Sequence, residues 1–87
     1  SNKKSLRGYE ISIRNNKSDA ITLTLLDQVP LSKTKEIEIT LYEDGGANYN
    51  KISGELKWKL NINPAETNKI SYKYSVKYPK DKIISNL

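Results

Sequence analysis

Four lysines on two alternating segments are the residues with the clearest capacity for chemistry. Lys57 and Lys59 alternate with apolar residues in one segment, and Lys73 and Lys77 do so in another. Alternation places such lysines on the solvent face of a strand. Clustered lysines attract phosphate or carboxylate groups, and that attraction weakens as salt rises. The lysines form one basic patch if their strands share a sheet, and two separate pairs if the strands lie in different sheets.

Aromatic side chains are the second group that could bind a ligand. We expect exposed aromatic rings near loops or strand ends at Tyr42, Tyr49 and Tyr78. Trp58, Tyr72 and Tyr74 could in principle stack against a sugar ring. Their alternation phase is that of the apolar residues around them, so we interpret these three as core residues.

The composition removes most catalytic chemistry. The 87 residues contain no His and no Cys, so the chain offers no imidazole base, thiolate nucleophile, disulfide or usual zinc site. No motif places a serine beside a base, and we predict that the protein is not an enzyme and uses no cofactor. Adjacent Glu43 and Asp44 are too few carboxylates for a calcium loop, so Asp44-Gly45-Gly46 is interpreted as a turn. Asp27 is expected to accept hydrogen bonds from nearby backbone amides.

The elements that must position these residues are strands. Five segments alternate apolar and polar residues: 9–14, 21–25, 37–41, 56–62 and 70–78. This pattern predicts an all-β domain built from antiparallel sheets, in a sandwich of about six or seven strands. A full sandwich has about seven strands, so either residues 46–52 and 82–86 add short strands or the parent protein supplies one, which would leave this chain with an open edge. No run of about 18 apolar residues occurs, so membrane insertion is not expected.

One domain is predicted for residues 1–87, with an ordered core at about 8–83 and frayed ends at 1–5 and 84–87. With no methionine in the chain, we expect it to be a processed chain or a piece of a longer protein. The residues expected to face inward are Tyr9, Ile11, Ile13, Ile21, Leu23, Leu25, Ile37, Ile39, Leu41, Leu56, Trp58, Leu60, Ile62, Ile70, Tyr72, Tyr74 and Val76.

Several segments together resemble a known family. These are YEISIRNN (9–16), ITLTLLDQVP (21–30), GELKWKLNI (54–62), NPAET (63–67) and ISYKYSVKYP (70–79). They resemble the C-terminal end of the mucoidy inhibitor A family of bacterial envelope proteins, the domain of unknown function 4139. The order of turns and strands is also similar to immunoglobulin-like and fibronectin-type repeats of bacterial surface proteins. The resemblance implies an immunoglobulin-like sandwich that is the C-terminal fragment of a longer extracytoplasmic protein, and it implies no catalytic residues.

Two functions follow as expectations. The first is a non-catalytic structural or interaction module that contacts the remainder of its parent chain or another envelope protein. The second is binding of an anionic polysaccharide or other envelope glycan through Lys57, Lys59, Lys73 and Lys77, given the net charge of +5. Nucleic acid is not expected as a partner, because Ser71 and Ser75 occupy the outward positions where stacking aromatics would be needed.

Overall fold

The computed structural model describes residues 2–80, which form six strands and contain no helix. The strands are β1 (Asn2–Arg14), β2 (Ile21–Gln28), β3 (Glu38–Glu43), β4 (Asn48–Tyr49), β5 (Glu55–Ile62) and β6 (Thr67–Pro79). Each of the five alternating segments lies in or overlaps one of the longer strands. The predicted all-β class and antiparallel pairing are confirmed.

Two three-stranded sheets pack face to face as a β-sandwich. Sheet A has the order β1-β6-β3, and sheet B has the order β2-β5-β4; every pair is antiparallel. The central strands β6 and β5 therefore belong to different sheets. The molecule measures 54 × 20 × 18 Å, because β1 and β6 run side by side for 13 residues each.

The core lies between the two central strands. Its buried members are Val29, Leu56, Trp58, Ile70, Tyr72, Tyr74 and Val76. Leu56 and Val76 are completely buried, and burying an aliphatic side chain of this size contributes about 1.5–3 kcal/mol. All predicted inward residues on β5 and β6 are buried except Leu60, which is half-buried. Those on β1, β2 and β3 are half-buried or exposed, because an edge strand has a neighbour on one side only.

The N-terminal boundary was predicted wrongly. Residues 1–5 were expected to fray, with ordered structure from about residue 8, but β1 begins at Asn2. Asn2 pairs with Pro79, and Ser5 pairs with Val76. Backbone pairing with β6 therefore makes a strand of a stretch that has no apolar alternation of its own. The predicted short strand within 46–52 is present as β4, whereas the predictions for 82–86 and 84–87 lie outside the described residues.

Val29 is a core residue that sequence reasoning did not include. It follows β2 and is completely buried. Its N–H donates to the Gly54 carbonyl at 2.8 Å. Gly54 has φ +80°, and a Cβ there would overlap the Val29 carbonyl oxygen. Only glycine fits this close crossing of two backbones.

Asn15 joins the β1–β2 turn to the β5–β6 turn and is buried, with 1% of its surface exposed. Its Nδ2 donates to the carbonyls of Asp19 (2.8 Å) and Ile62 (2.9 Å), and its Oδ1 accepts from the Lys17 N–H at 2.8 Å. Its backbone N–H donates to the Glu66 carbonyl, and its own carbonyl accepts from Ala65. One side chain thus connects β1 of sheet A to β5 of sheet B at one end of the sandwich.

Candidate functional site

The structure divides the four predicted lysines into two pairs on opposite faces. Lys57 and Lys59 lie on the outer face of sheet B, because β5 alternates them with the buried Leu56 and Trp58. Lys73 and Lys77 lie on the outer face of sheet A. A single four-lysine patch is therefore not formed.

On sheet A the lysines lie among carboxylates. Lys73 Nζ is 3.4 Å from Glu43 Oε2. Lys77 is in register with Glu38 on one side and Lys4 on the other. Both pairs of opposite charge are solvent-exposed, so this face is mixed in charge rather than basic.

Tyr42 is exposed, as predicted, with 52% of its surface accessible. It lies where the register of β3 shifts between Leu41 and Glu43. Together with Leu6 and Lys77 it borders a shallow groove of about 430 Å³ on the outer face of sheet A. The prediction of exposure was wrong for Tyr49 and Tyr78: both are half-buried and pack against the core, because β4 and the end of β6 lie against its rim.

On sheet B, no carboxylate of the described residues is in register with the lysines. Lys57 is paired with Leu26 on β2 and Asn48 on β4, and Lys59 is paired with Thr24. Leu26 is 55% exposed beside Lys57. This face therefore combines two cations with an exposed apolar side chain.

The two sheets formed by residues 2–80 have four edges, and three of them carry features that discourage pairing with another strand. β1 contains Lys3, Lys4, Arg7, Glu10 and Arg14. β3 is charged at both ends and has an irregular register, and β4 is only two residues long. Charged residues, irregularity and short length are the usual protections of an edge.

The fourth edge, β2, has none of these protections over Ile21–Leu26. The stretch ITLTLL contains no charge, proline or glycine, and within residues 2–80 the strand that pairs with β2 is β5. Alternate N–H and C=O groups of an edge strand point away from its partner. Its inward side chains, such as Leu23 and Leu25, remain half-buried. The β2 edge is therefore a template on which a further strand can pair.

A separate pocket of about 460 Å³, which we call the tyrosine pocket, opens between β1, β6 and the end of β2. Its lining residues are Arg7, Tyr9, Asp27, Gln28, Pro30, Tyr72 and Tyr74. The Tyr9 ring stacks on Tyr72 with centroids 5.3 Å apart, and on Tyr74 at 6.1 Å. Tyr9 was predicted to be a core residue, but it is 47% exposed, because it lies on an edge strand of sheet A and borders the open pocket.

Asp27 has the predicted role of accepting nearby hydrogen bonds. Its Oδ1 accepts from the Gln28 N–H at 2.8 Å, and its Oδ2 accepts from the Tyr72 hydroxyl at 2.9 Å. Burial, and then the hydrogen bond to Asp27, raise the pKa of Tyr72 well above its usual value. Burial, and then a hydrogen bond with Tyr9, raise the pKa of Tyr74 to about 12. Both hydroxyls therefore stay protonated at neutral pH.

The described residues contain no group of three or more His, Cys, Asp or Glu side chains that could hold a metal ion. Within residues 2–80 there is also no helix with the length and apolar character to cross a membrane.

The two packed antiparallel sheets define an all-β domain of the β-sandwich class. This domain carries an unprotected edge and a small aromatic pocket. The family model for a domain of unknown function, DUF4139, matches residues 1–80, and the chain belongs to this family. Neither the curated proteins nor the solved structures include a match to this chain.

Proposed function

We propose that this domain is a non-catalytic interaction module of a bacterial cell-envelope protein, and that it docks by strand addition at the β2 edge. The observation that carries the proposal is the contrast between β2 and the other three edges. Charges, irregularity or short length discourage pairing at those edges, whereas ITLTLL lacks all three. Main-chain hydrogen bonds supply the affinity in such docking, and alternate side chains supply the specificity.

The strand order supports a specific occupant. Immunoglobulin-like sandwiches have one sheet in the order A-B-E-D and a second in the order C-F-G. If β2 to β6 correspond to strands B to F, the observed orders become B-E-D and C-F, with β1 in the position of strand G. None of the six strands within residues 2–80 takes the position of strand A, beside β2. We infer that a segment from the remainder of the parent chain fills it.

The test is amide hydrogen exchange of the 87-residue chain, with and without the remainder of the parent protein. Amides of β2 that point away from β5 should exchange fast alone and become protected in the mixture, with little dependence on salt. Thr24→Lys, which puts a charge on the outward face of β2, should weaken the complex. Thr40→Lys, the matched change on the outer face of β3, should not. Protection elsewhere with β2 still exchanging fast would overturn the proposed docking mode.

A second candidate function is binding of an anionic envelope glycan through Lys57 and Lys59. Its support is that no carboxylate within residues 2–80 is in register with either lysine, in contrast to Lys73 and Lys77. The expected binding weakens as salt rises and is reduced in the double variant Lys57→Gln/Lys59→Gln. The control is Lys73→Gln, which removes a lysine already paired with Glu43. Equal losses in the two variants would indicate non-specific charge attraction.

A further inference from the structure

The tyrosine pocket contains an exposed aromatic ring, that of Tyr9, whose outward face is not packed in the core. Tyr9 is 47% exposed, although two rings support it from behind at 5.3 and 6.1 Å. Stacking on Tyr72 and Tyr74, which are both buried, restricts where the Tyr9 ring can move. A fixed, flat aromatic surface beside polar groups suits a ligand that has one apolar face.

Arg7 places a positively charged guanidinium group in the same pocket. It is half-buried and faces the pocket in register with Tyr74. Among residues 2–80, the guanidinium group of Arg7 makes no hydrogen bond and no salt bridge. The planar guanidinium group matches a carboxylate through two parallel hydrogen bonds. Arg7 therefore favours a ligand that carries a carboxylate.

Asp27 and Gln28 supply the remaining polar groups. Each Asp27 carboxylate oxygen already accepts one hydrogen bond, from Gln28 or from Tyr72, which fixes the orientation of the group. Each oxygen has a further lone pair with which it can accept from a hydroxyl. Gln28 Nε2 donates to the Ser53 carbonyl at 3.1 Å, so its side-chain oxygen is the part left for a ligand. These acceptors favour a ligand that is rich in hydroxyl groups.

We propose that the tyrosine pocket binds a sugar acid, a pyranose ring that bears a carboxylate. The C–H face of the ring packs on Tyr9, the carboxylate pairs with Arg7, and ring hydroxyls donate to Asp27 and Gln28. This site uses neither the free backbone edge of β2 nor Lys57 and Lys59. Its success or failure is therefore independent of both functions proposed above.

The test is an NMR titration of the 87-residue chain with three small probes. Methyl glucuronide has the ring, the hydroxyls and the carboxylate; methyl glucoside lacks the carboxylate; benzoate has a carboxylate and a ring but no hydroxyls. Methyl glucuronide should produce saturable shifts at Arg7, Tyr9 and Asp27, and the other two probes should bind more weakly. Benzoate binding as tightly as the glucuronide would overturn the assignment to a sugar.

Variants of the pocket residues provide a second test of the proposed sugar-acid site. Arg7→Gln should weaken methyl glucuronide binding about tenfold to a hundredfold, the usual effect of losing a charge-assisted hydrogen bond. Tyr9→Leu should also weaken it, since the stacking surface is lost. Arg14→Gln is the matched control on the same strand, because Arg14 already bonds Asn16 and lies outside the pocket. Unchanged binding in a folded Arg7→Gln variant, or the absence of saturable shifts in the natural chain, would overturn the proposal.

Discussion

Replacement of Asn15 by alanine tests how the two sheets are joined at one end of the sandwich. The substitution removes three side-chain hydrogen bonds, with the Asp19 carbonyl, the Ile62 carbonyl and the Lys17 N–H. At about 1 kcal/mol net for each bond, the expected loss in the free energy of unfolding is about 3 kcal/mol. The bond to the Ile62 carbonyl is buried, and breaking a buried hydrogen bond costs more than this average, so about 3 kcal/mol is a lower bound for the loss.

The loss is a large share of the total stability. A domain of this length is expected to have a free energy of unfolding of about 4–13 kcal/mol, at 0.05–0.15 kcal/mol per residue. Urea denaturation of the natural chain and of Asn15→Ala, followed by Trp58 fluorescence, measures the difference. Trp58 is a suitable reporter because it is buried in the core between the sheets.

Asn16→Ala is the matched control. Asn16 is the adjacent residue of the same type, but it is exposed, and its Oδ1 accepts one bond from Arg14 Nε at 2.9 Å. We expect it to lose no more than about 0.5 kcal/mol, as is usual for exposed positions. Asn15→Asp keeps the acceptor for Lys17 but loses both donated bonds, so it should also be strongly destabilised. A loss below about 1 kcal/mol for Asn15→Ala would refute the role assigned to this side chain.

Two further predictions concern the backbone and the buried tyrosines. Gly54→Ala should destabilise the domain by more than about 2 kcal/mol, because the left-handed φ costs about 1–2 kcal/mol and the new Cβ overlaps the Val29 carbonyl. The control is Gly46→Ala, since Gly46 has φ +86° and open space around it. This variant should show only the cost of the left-handed φ in the same urea experiment. The free energy of unfolding should fall as pH rises above 10, since the unfolded state ionises at the ordinary pKa of 10.0 while Tyr74 in the folded state stays protonated to about 12. The stabilisation is fully present below pH 10 and is lost as pH approaches 12, and Tyr72→Phe/Tyr74→Phe should flatten the decline measured by urea denaturation across this range. A decline of equal slope in this double variant would contradict the assignment.

Strand existence and the buried face of the central strands were predictable because both depend on local alternation. β5 and β6 each have a neighbour on both sides and the facing sheet on one face, so their inward residues are almost all buried. The N-terminal half of β1 was not predictable in this way. Its structure comes from pairing with β6, which is distant in sequence, and residues 2–6 show no alternation of apolar and polar residues that would predict this pairing.

The division of the lysines depended on topology rather than on pattern. Alternation correctly placed Lys57, Lys59, Lys73 and Lys77 outward. Whether β5 and β6 share a sheet cannot be deduced from the period of either strand, and the structure assigns them to different sheets.

The tyrosine pocket was missed because its residues come from three elements. One signal was present: Arg7 continues the odd-numbered phase of Tyr9, Ile11 and Ile13, so it lies on the inner face of β1. A charge in an otherwise apolar phase is the kind of local conflict that marks a site. Buried Asn15 gave no comparable signal, since its neighbours 16–19 have the ordinary composition of a turn.

The register of β1 on β6 also determines how the domain responds to force. Asn2 lies opposite Pro79, so a pull applied between these residues acts on the first pair of the ladder and then on each pair in turn. Antiparallel ladder bonds lie across the strands, and they are therefore opened one at a time, like a zipper, rather than sheared together. A load carried through this end is therefore opposed by one backbone pair at a time, even though β1 and β6 share the most backbone pairs in the sandwich.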